Sequence, residues 1–165
     1  MEELGLPDRH HALAAEGWLG LGDTDEAERE LGRLSPEGAR HPAALEVEWR
    51  IHSERKAWNK ALRTARRLVE VTPDLPSGWI HQSYSLHELR RTEEALQLLQ
   101  TVVSRFPGES VIPYNLACYA CQLGEMDAAR RWLVQAVQVG GKPLIRRMAE
   151  DDPDLVPLRG FLQKL

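Results

Sequence analysis

Cys118 and Cys121 are the residues of this sequence most suited to chemistry. Three positions apart on a helix, their thiols would lie on the same face. A zinc site needs two more ligands, and the sequence has no second cysteine pair and no His-x-x-x-His motif, which leaves only His81 and His87 on a neighbouring helix. A redox pair of the thioredoxin type needs a strand–helix setting that the pattern lacks. We therefore interpret both cysteines as small, soft groove residues, and predict neither a metal nor a cofactor.

Motifs of known catalytic centres are missing from the sequence. It contains no Gly-rich phosphate loop, no nucleophile elbow and no His-Glu-x-x-His. Asp151, Asp152 and Asp154 form a carboxylate cluster, but Pro153 between them suits a turn better than a general acid–base pair. The sequence predicts no catalytic residues and a protein that is not an enzyme.

The helices that position these residues follow a fixed period. An alanine recurs every 34 positions, at Ala27, Ala61, Ala95 and Ala129. Apolar residues four positions later complete a helical face: Leu31, Ala65, Leu99 and Leu133. Five positions before each anchor stand Gly22, Lys56, Arg90 and Gly124. The two glycines suit the left-handed turn that ends a helix. A period of this length is typical of stacked repeats, in which each unit buries its apolar face against its neighbours.

The 34-residue period predicts four helix pairs within one all-α domain, 1–165. The pairs are 8–21 with 24–34, 42–55 with 58–71, 76–89 with 92–105, and 110–123 with 126–139. The corresponding repeats span 8–41, 42–75, 76–109 and 110–143. Twelve positions before the anchors the residues are small, except Trp49, which needs additional room.

The pattern resembles the tetratricopeptide repeat, a two-helix hairpin of this period. The fourth unit carries the resemblance best, with Tyr114-Asn115-Leu116-Ala117-Cys118-Tyr119, Leu123-Gly124 and Ala128-Ala129. The third unit supplies Trp79 and the closing Pro107. The resemblance implies an α-solenoid, a right-handed superhelix of antiparallel helix pairs whose concave groove binds proteins or peptides.

Residues 144–165 are predicted to cap the last repeat. Asp152-Pro153 interrupts the helix that Pro143 opens, since the residue before proline is disfavoured in the helical region. Apolar residues then return at helical spacing: Leu155, Leu158, Phe161, Leu162 and Leu165. Such a helix would keep the apolar end of the stack out of water.

The first helix of each pair is expected to line the groove with the residues that stand 18, 15, 11 and 8 positions before each anchor. This stripe supplies the candidate partner-binding residues Arg50, Ile80, Tyr84, His87, Tyr114, Cys118 and Cys121, and the family resemblance adds Asn115. Aromatic residues are enriched in interface cores, which favours the C-terminal half of the stripe. Alternatively, Ile80 and Tyr114 pack between helices or under the tail. The resemblance implies that the Asn115 amide bonds a peptide backbone, and a bond to a neighbouring helix is the alternative.

One branch of the family holds the terminal carboxylate of chaperones with paired lysines and asparagines, and this stripe departs from that pattern. It contains no lysine, and its Glu16 and Glu46 would repel a carboxylate. The sequence therefore favours a different protein or peptide partner, which would make the chain an adaptor. The alternative is a structural or assembly subunit that self-associates through its helical surface.

Composition excludes several classes of partner. The net charge of −4 gives no general attraction for nucleic acid, and the basic cluster at Arg63, Arg66 and Arg67 is interpreted as a solvated helix face. No apolar stretch approaches the roughly 20 residues that span a membrane, and the start lacks the pattern of a signal peptide. We expect a cytoplasmic monomer, with a homodimer through Trp49, Trp132 and the tail as the alternative.

Overall fold

The computed structural model describes residues 4–164, and every regular element in that range is a helix. The first five α-helices are α1 (Leu6–Gly20), α2 (Thr24–Leu31), α3 (Pro42–Glu54), α4 (Trp58–Val71) and α5 (Pro76–Glu88). They are followed by α6 (Thr92–Val102), α7 (Val111–Gln122), α8 (Met126–Gly140), α9 (Lys142–Ala149) and α10 (Arg159–Leu162). Short 3₁₀ segments cover Gly38–Arg40, Val103–Arg105 and Pro153–Leu158. The predicted all-α class is confirmed, whereas Leu165 of the predicted cap lies outside the described residues.

The four anchor alanines are fully buried. Ala27, Ala61, Ala95 and Ala129 all have an exposed fraction of 0%. A methyl side chain lets two helix backbones come close without leaving a void, so a larger residue here would push the pair apart. The period of the sequence is thus the period of the core.

The turns inside the four pairs share one backbone geometry, whether or not glycine is present. Gly22, Lys56, Arg90 and Gly124 all have positive φ, of 81°, 53°, 63° and 81°. In every case the residue's own N–H bonds the carbonyl three positions back, and the next N–H bonds the carbonyl five positions before it. This is the Schellman type of helix end. The repeat geometry imposes the left-handed conformation even on Lys56 and Arg90.

The described chain separates into two compact units between Ser85 and Leu86. In the first unit, α1 pairs with α2, α3 pairs with α4, and α3 also contacts α1 and α2. The buried cluster at their centre consists of Ala15, Leu19, Ala27, Val47 and Ile51.

The second unit is built around α7. This helix packs against α6, α8 and the 3₁₀ segment Pro153–Leu158, and nine of its residues are buried. A helix covered on nearly all sides must be apolar around most of its circumference, as α7 is. Helix α9 then packs on α8, and α10 contacts the same 3₁₀ segment.

Candidate protein-binding surfaces

The first surface lies on α3 and α5 within the first unit. We define the first-unit strip as Glu46 and Arg50 of α3 with Ile80, His81 and Tyr84 of α5. Glu46 and Arg50 are one helical turn apart, as are Ile80 and Tyr84, so each pair shares one face of its helix. The strip thus combines charged groups with apolar and aromatic surface.

Trp49 and His81 hold α3 and α5 together at this strip. The imidazole of His81 stacks on the Trp49 ring with centroids 3.7 Å apart and planes 8° from parallel. Nε1 of Trp49 donates a hydrogen bond of 3.1 Å to Oγ of Ser85. The additional room that Trp49 needs comes from the flat imidazole and the small serine on the next first helix. The sequence identified Trp49 as an exception but not the residue on which it stacks.

Glu46 carries the negative charge of the strip. Its Oε2 lies 2.6 Å from Nε2 of His81. Burial raises the pKa of Glu46, but hydrogen bonds from His81 and Ser77 outweigh it and leave the pKa below its ordinary value. Glu46 is therefore ionised at neutral pH. Arg50 lies 3.8 Å from Glu16 of α1, and because both side chains are largely exposed the pair adds little stability.

Tyr84 is the partly exposed aromatic residue of the strip. Its ring packs edge-on against Trp49 and Trp58, at centroid distances of 6.3 Å and 5.7 Å, yet 37% of the residue is exposed. Ile80, one turn earlier, is half-buried. The tryptophans restrict the Tyr84 ring, so a partner that covers it would lose little side-chain entropy.

The second group of predicted residues lies beneath the C-terminal segment. We define the tail-covered cluster as His87, Tyr114, Cys118 and Cys121. Tyr114 is 5% exposed and both cysteines are 4% exposed, since the segment Pro153–Leu158 packs over their face of α7. The structure therefore corrects the expected exposure of these residues and agrees with the alternative that Tyr114 packs under the tail.

Two aspartates of the C-terminal segment make the polar contacts with this cluster. The Tyr114 hydroxyl lies 2.6 Å from Oδ2 of Asp152 and 3.0 Å from the Met148 carbonyl. The Cys118 thiol lies 3.5 Å from the same Oδ2. Nε2 of His87 lies 2.9 Å from Oδ2 of Asp154.

The remaining contacts of His87 fix its orientation. Its Nδ1 lies 3.0 Å from the Thr92 hydroxyl, and its ring stacks on Tyr119 with centroids 4.9 Å apart. Because Nε2 contacts the Asp154 carboxylate, both ring nitrogens of His87 have a polar partner.

The same surroundings suppress thiol chemistry. Burial, with the nearby carboxylates of Asp152 and Asp154, raises the pKa of Cys118 well above its ordinary value. Burial and the same two carboxylates also raise the pKa of Cys121. Burial raises the pKa of Tyr114 as well, with Cys118 and Asp152 adding to the effect. Both cysteines are free and protonated, which is the state of structural thiols rather than nucleophiles.

Asn115 stands apart from the cluster on the same helix. Its side chain is half-buried and makes no hydrogen bond within the described part of the chain. Its helix belongs to the second unit, while Tyr84 belongs to the first.

The structure also reveals features that the sequence did not indicate as sites. Asp152 and Asp154 were interpreted as turn residues, and no local pattern assigns them to Tyr114 and His87. A cleft of about 690 Å³ lies between α9 and α10, lined by Arg146, Arg147 and Arg159. The paired arginines of α9 were its only sequence signal.

Searches for metal sites and membrane spans concern residues 4–164. Within that range no group of three or more His, Cys, Asp or Glu side chains is arranged to hold a metal ion. None of the helices there combines the length and apolar character that crossing a membrane requires.

Comparison with solved structures assigns the fold. The protein TTC0263 of Thermus thermophilus, described as a thermophilic TPR protein, is 24% identical, with a TM-score of 0.75 over 92% of this chain and 83% of its own. MamA from Desulfovibrio magneticus RS-1, residues 41 to the end, is 14% identical, with a TM-score of 0.73 over 99% and 97%. YrrB, described as a TPR protein with an unusual peptide-binding site, is 10% identical, with a TM-score of 0.64 over 90% and 80%. No family model and no curated protein matches the sequence.

Proposed function

We propose that this chain, an all-α solenoid with the tetratricopeptide-repeat fold, is a non-catalytic protein-interaction module that binds a segment of another protein on the first-unit strip. The observation that carries the proposal is the restrained but partly exposed ring of Tyr84. Two tryptophans hold its ring, and more than a third of the residue remains exposed between charged groups. Ordered, partly exposed aromatic residues of this kind are typical of interface hot spots.

The charges of the strip indicate the chemistry of the partner. Glu46 is ionised, and the exposed Glu16 lies close by on α1, so two carboxylates face the single guanidinium of Arg50 and the local charge is negative. These carboxylates favour a lysine or arginine of the partner, and they disfavour a terminal carboxylate. Tyr84 and Ile80 offer the neighbouring apolar contact, and a guanidinium could also stack on the tyrosine ring. The partner segment is therefore basic with an adjacent apolar side chain.

The surroundings of the cysteines support a non-catalytic role. Their raised pKa values keep the thiols protonated, and the sequence offers no other activated nucleophile or phosphate loop. The peptide-binding site named for YrrB supports the idea that this fold can serve for peptide recognition.

A peptide selection tests the proposal. The whole chain is used to select binders from a random peptide library, and calorimetry then compares the affinities of wild-type protein, Tyr84→Ala and a double variant, Arg63→Ala with Arg66→Ala. We expect basic peptides, and a loss of roughly thirtyfold, about 2 kcal/mol, for Tyr84→Ala. The arginine variant is the control, since both side chains lie on the exposed side of α4. Equal losses in the two variants, or a selection dominated by acidic peptides, would place binding elsewhere.

The mass of the chain in solution separates this proposal from self-association. A monomer that binds the selected peptide agrees with an adaptor. A stable oligomer that binds no peptide until it dissociates would favour an assembly subunit.

A further inference from the structure

Residues 152–158, which we name the tail segment, lie on the face of α7 where the sequence predicts a protein partner. The Asp152 carboxylate contacts Tyr114 and Cys118, and the Asp154 carboxylate contacts His87. Gln122 at the end of α7 adds a hydrogen bond of 3.3 Å from Nε2 to the Asp154 carbonyl. A part of the chain thus occupies the position of a ligand.

The apolar contacts of the tail segment come from one side only. Leu155 and Leu158, three positions apart, are 0% and 2% exposed. Val156 and Pro157 between them are exposed to solvent. The bound pattern is therefore two carboxylates, two positions apart, followed by leucines three positions apart. Because only the side chains that face α7 make these contacts, a segment of another protein with the same spacing can make them equally well.

We propose that this face of α7 is a second protein-binding site, that its ligand is an acidic segment of another protein with leucines three positions apart, and that the tail segment occupies the site in cis until such a ligand displaces it. The site offers a phenol hydroxyl, a thiol and an imidazole, all nearly buried. If the carboxylates left without replacement, Nε2 of His87 and the Cys118 thiol would lose their carboxylate acceptors, and the Tyr114 hydroxyl would keep only the Met148 carbonyl, which costs free energy. The occupant must therefore bring acids. The site shares no residue with the first-unit strip, so the two proposals can fail independently.

The covalent connection determines how strongly a free ligand can compete. A short tether gives the tail segment an effective concentration of roughly millimolar. A peptide with the same contacts should therefore bind the intact chain weakly, and better once the tail segment is weakened. A natural partner can compete by making contacts beyond those of the tail segment. The short 3₁₀ geometry favours release, because its hydrogen bonds are poorer than those of an α-helix.

The probe for this site is a fluorescein-labelled peptide that spans residues 150–160. Its affinity, measured by anisotropy, is compared for the full wild-type chain and for two double variants. One combines Asp152→Asn with Leu155→Ala and weakens the tail segment. The control combines Asp151→Asn with Val156→Ala, at neighbouring exposed positions whose side chains make no polar contact within the described chain. We expect the first variant to bind the peptide about tenfold more tightly or better, and the control to resemble wild type. Equal affinity of all three proteins, or no binding by any, overturns the proposal.

The buried thiols provide a second measurement that needs no peptide. Cys118 and Cys121 become accessible if the tail segment detaches while the unit stays folded. Their labelling by a thiol reagent should be independent of urea below the unfolding transition. It should also be about tenfold faster in Asp152→Asn than in Asp151→Asn. If the wild-type thiols are labelled only through global unfolding, the tail segment is a fixed part of the fold and the proposal is wrong. This measurement decides the question even if the Asp152→Asn, Leu155→Ala double variant does not fold.

Discussion

Replacing Lys56 or Arg90 by glycine should stabilise this protein. Both residues have a left-handed backbone, with φ of 53° and 63°. Both side chains are exposed and form no ion pair within the described chain. Glycine therefore removes an unfavourable conformation without removing a contact.

The magnitude follows from two opposing contributions. The left-handed conformation costs an ordinary residue about 1–2 kcal/mol relative to glycine. Glycine in turn loses about 0.5–1 kcal/mol more conformational free energy on folding. Each substitution should therefore raise the free energy of unfolding by a net ~0.5–1 kcal/mol. For a chain of this size that corresponds to roughly 2 °C in Tm.

Urea unfolding, followed by circular dichroism, measures the effect. Lys56→Ala and Arg90→Ala are the matched controls, since alanine removes the side chain but keeps the backbone cost. The reciprocal variants Gly22→Ala and Gly124→Ala should lose about the same amount, because an added Cβ would meet nothing within 4 Å at either position. If the glycine variants are no more stable than their alanine controls, the backbone at these turns does not carry the cost that we assign to it.

Two further predictions concern the first unit. Gly78→Ala should lower the free energy of unfolding by about 1–3 kcal/mol, since a Cβ there would lie 2.9 Å from the backbone nitrogen of Val69. Gly17→Ala should instead raise the free energy of unfolding by about 0.5–1 kcal/mol, because the space around Gly17 is open. Thermal unfolding distinguishes the two variants. Because the pKa of Glu46 is lowered on folding, its ionisation stabilises the protein above the ordinary pKa of 4.5, and this contribution disappears as pH falls through the lowered value. In acid titrations of stability, Glu46→Gln should therefore lose part of the pH dependence, and an unchanged profile would contradict the assigned bond to His81.

Much of the fold could be predicted from the sequence because the repeat is a local pattern. The 34-residue period predicted buried anchors at Ala27, Ala61, Ala95 and Ala129, and all four are buried. The helix bounds follow from the same frame. Lys56 and Arg90 show the limit of a prediction by residue type, since the frame imposes a geometry that was predicted only for glycine.

The two candidate surfaces differ in how far the sequence could describe them. At Tyr84 and Arg50, helical spacing predicted which side chains share a face, and both remain partly exposed. At Tyr114, Cys118 and Cys121 the same spacing correctly grouped the residues on α7, but not their burial.

Helical spacing, by itself, determined the elements, their pairing and the face on which each side chain lies. Only the tertiary structure decided that the tail segment covers α7 and that Asp152 and Asp154 pair with Tyr114 and His87. The physical reason is the range of the interactions. Periodicity reports contacts between neighbours in a repeat, whereas the docking of a non-repeating segment depends on donors and apolar surface more than 30 positions away along the chain.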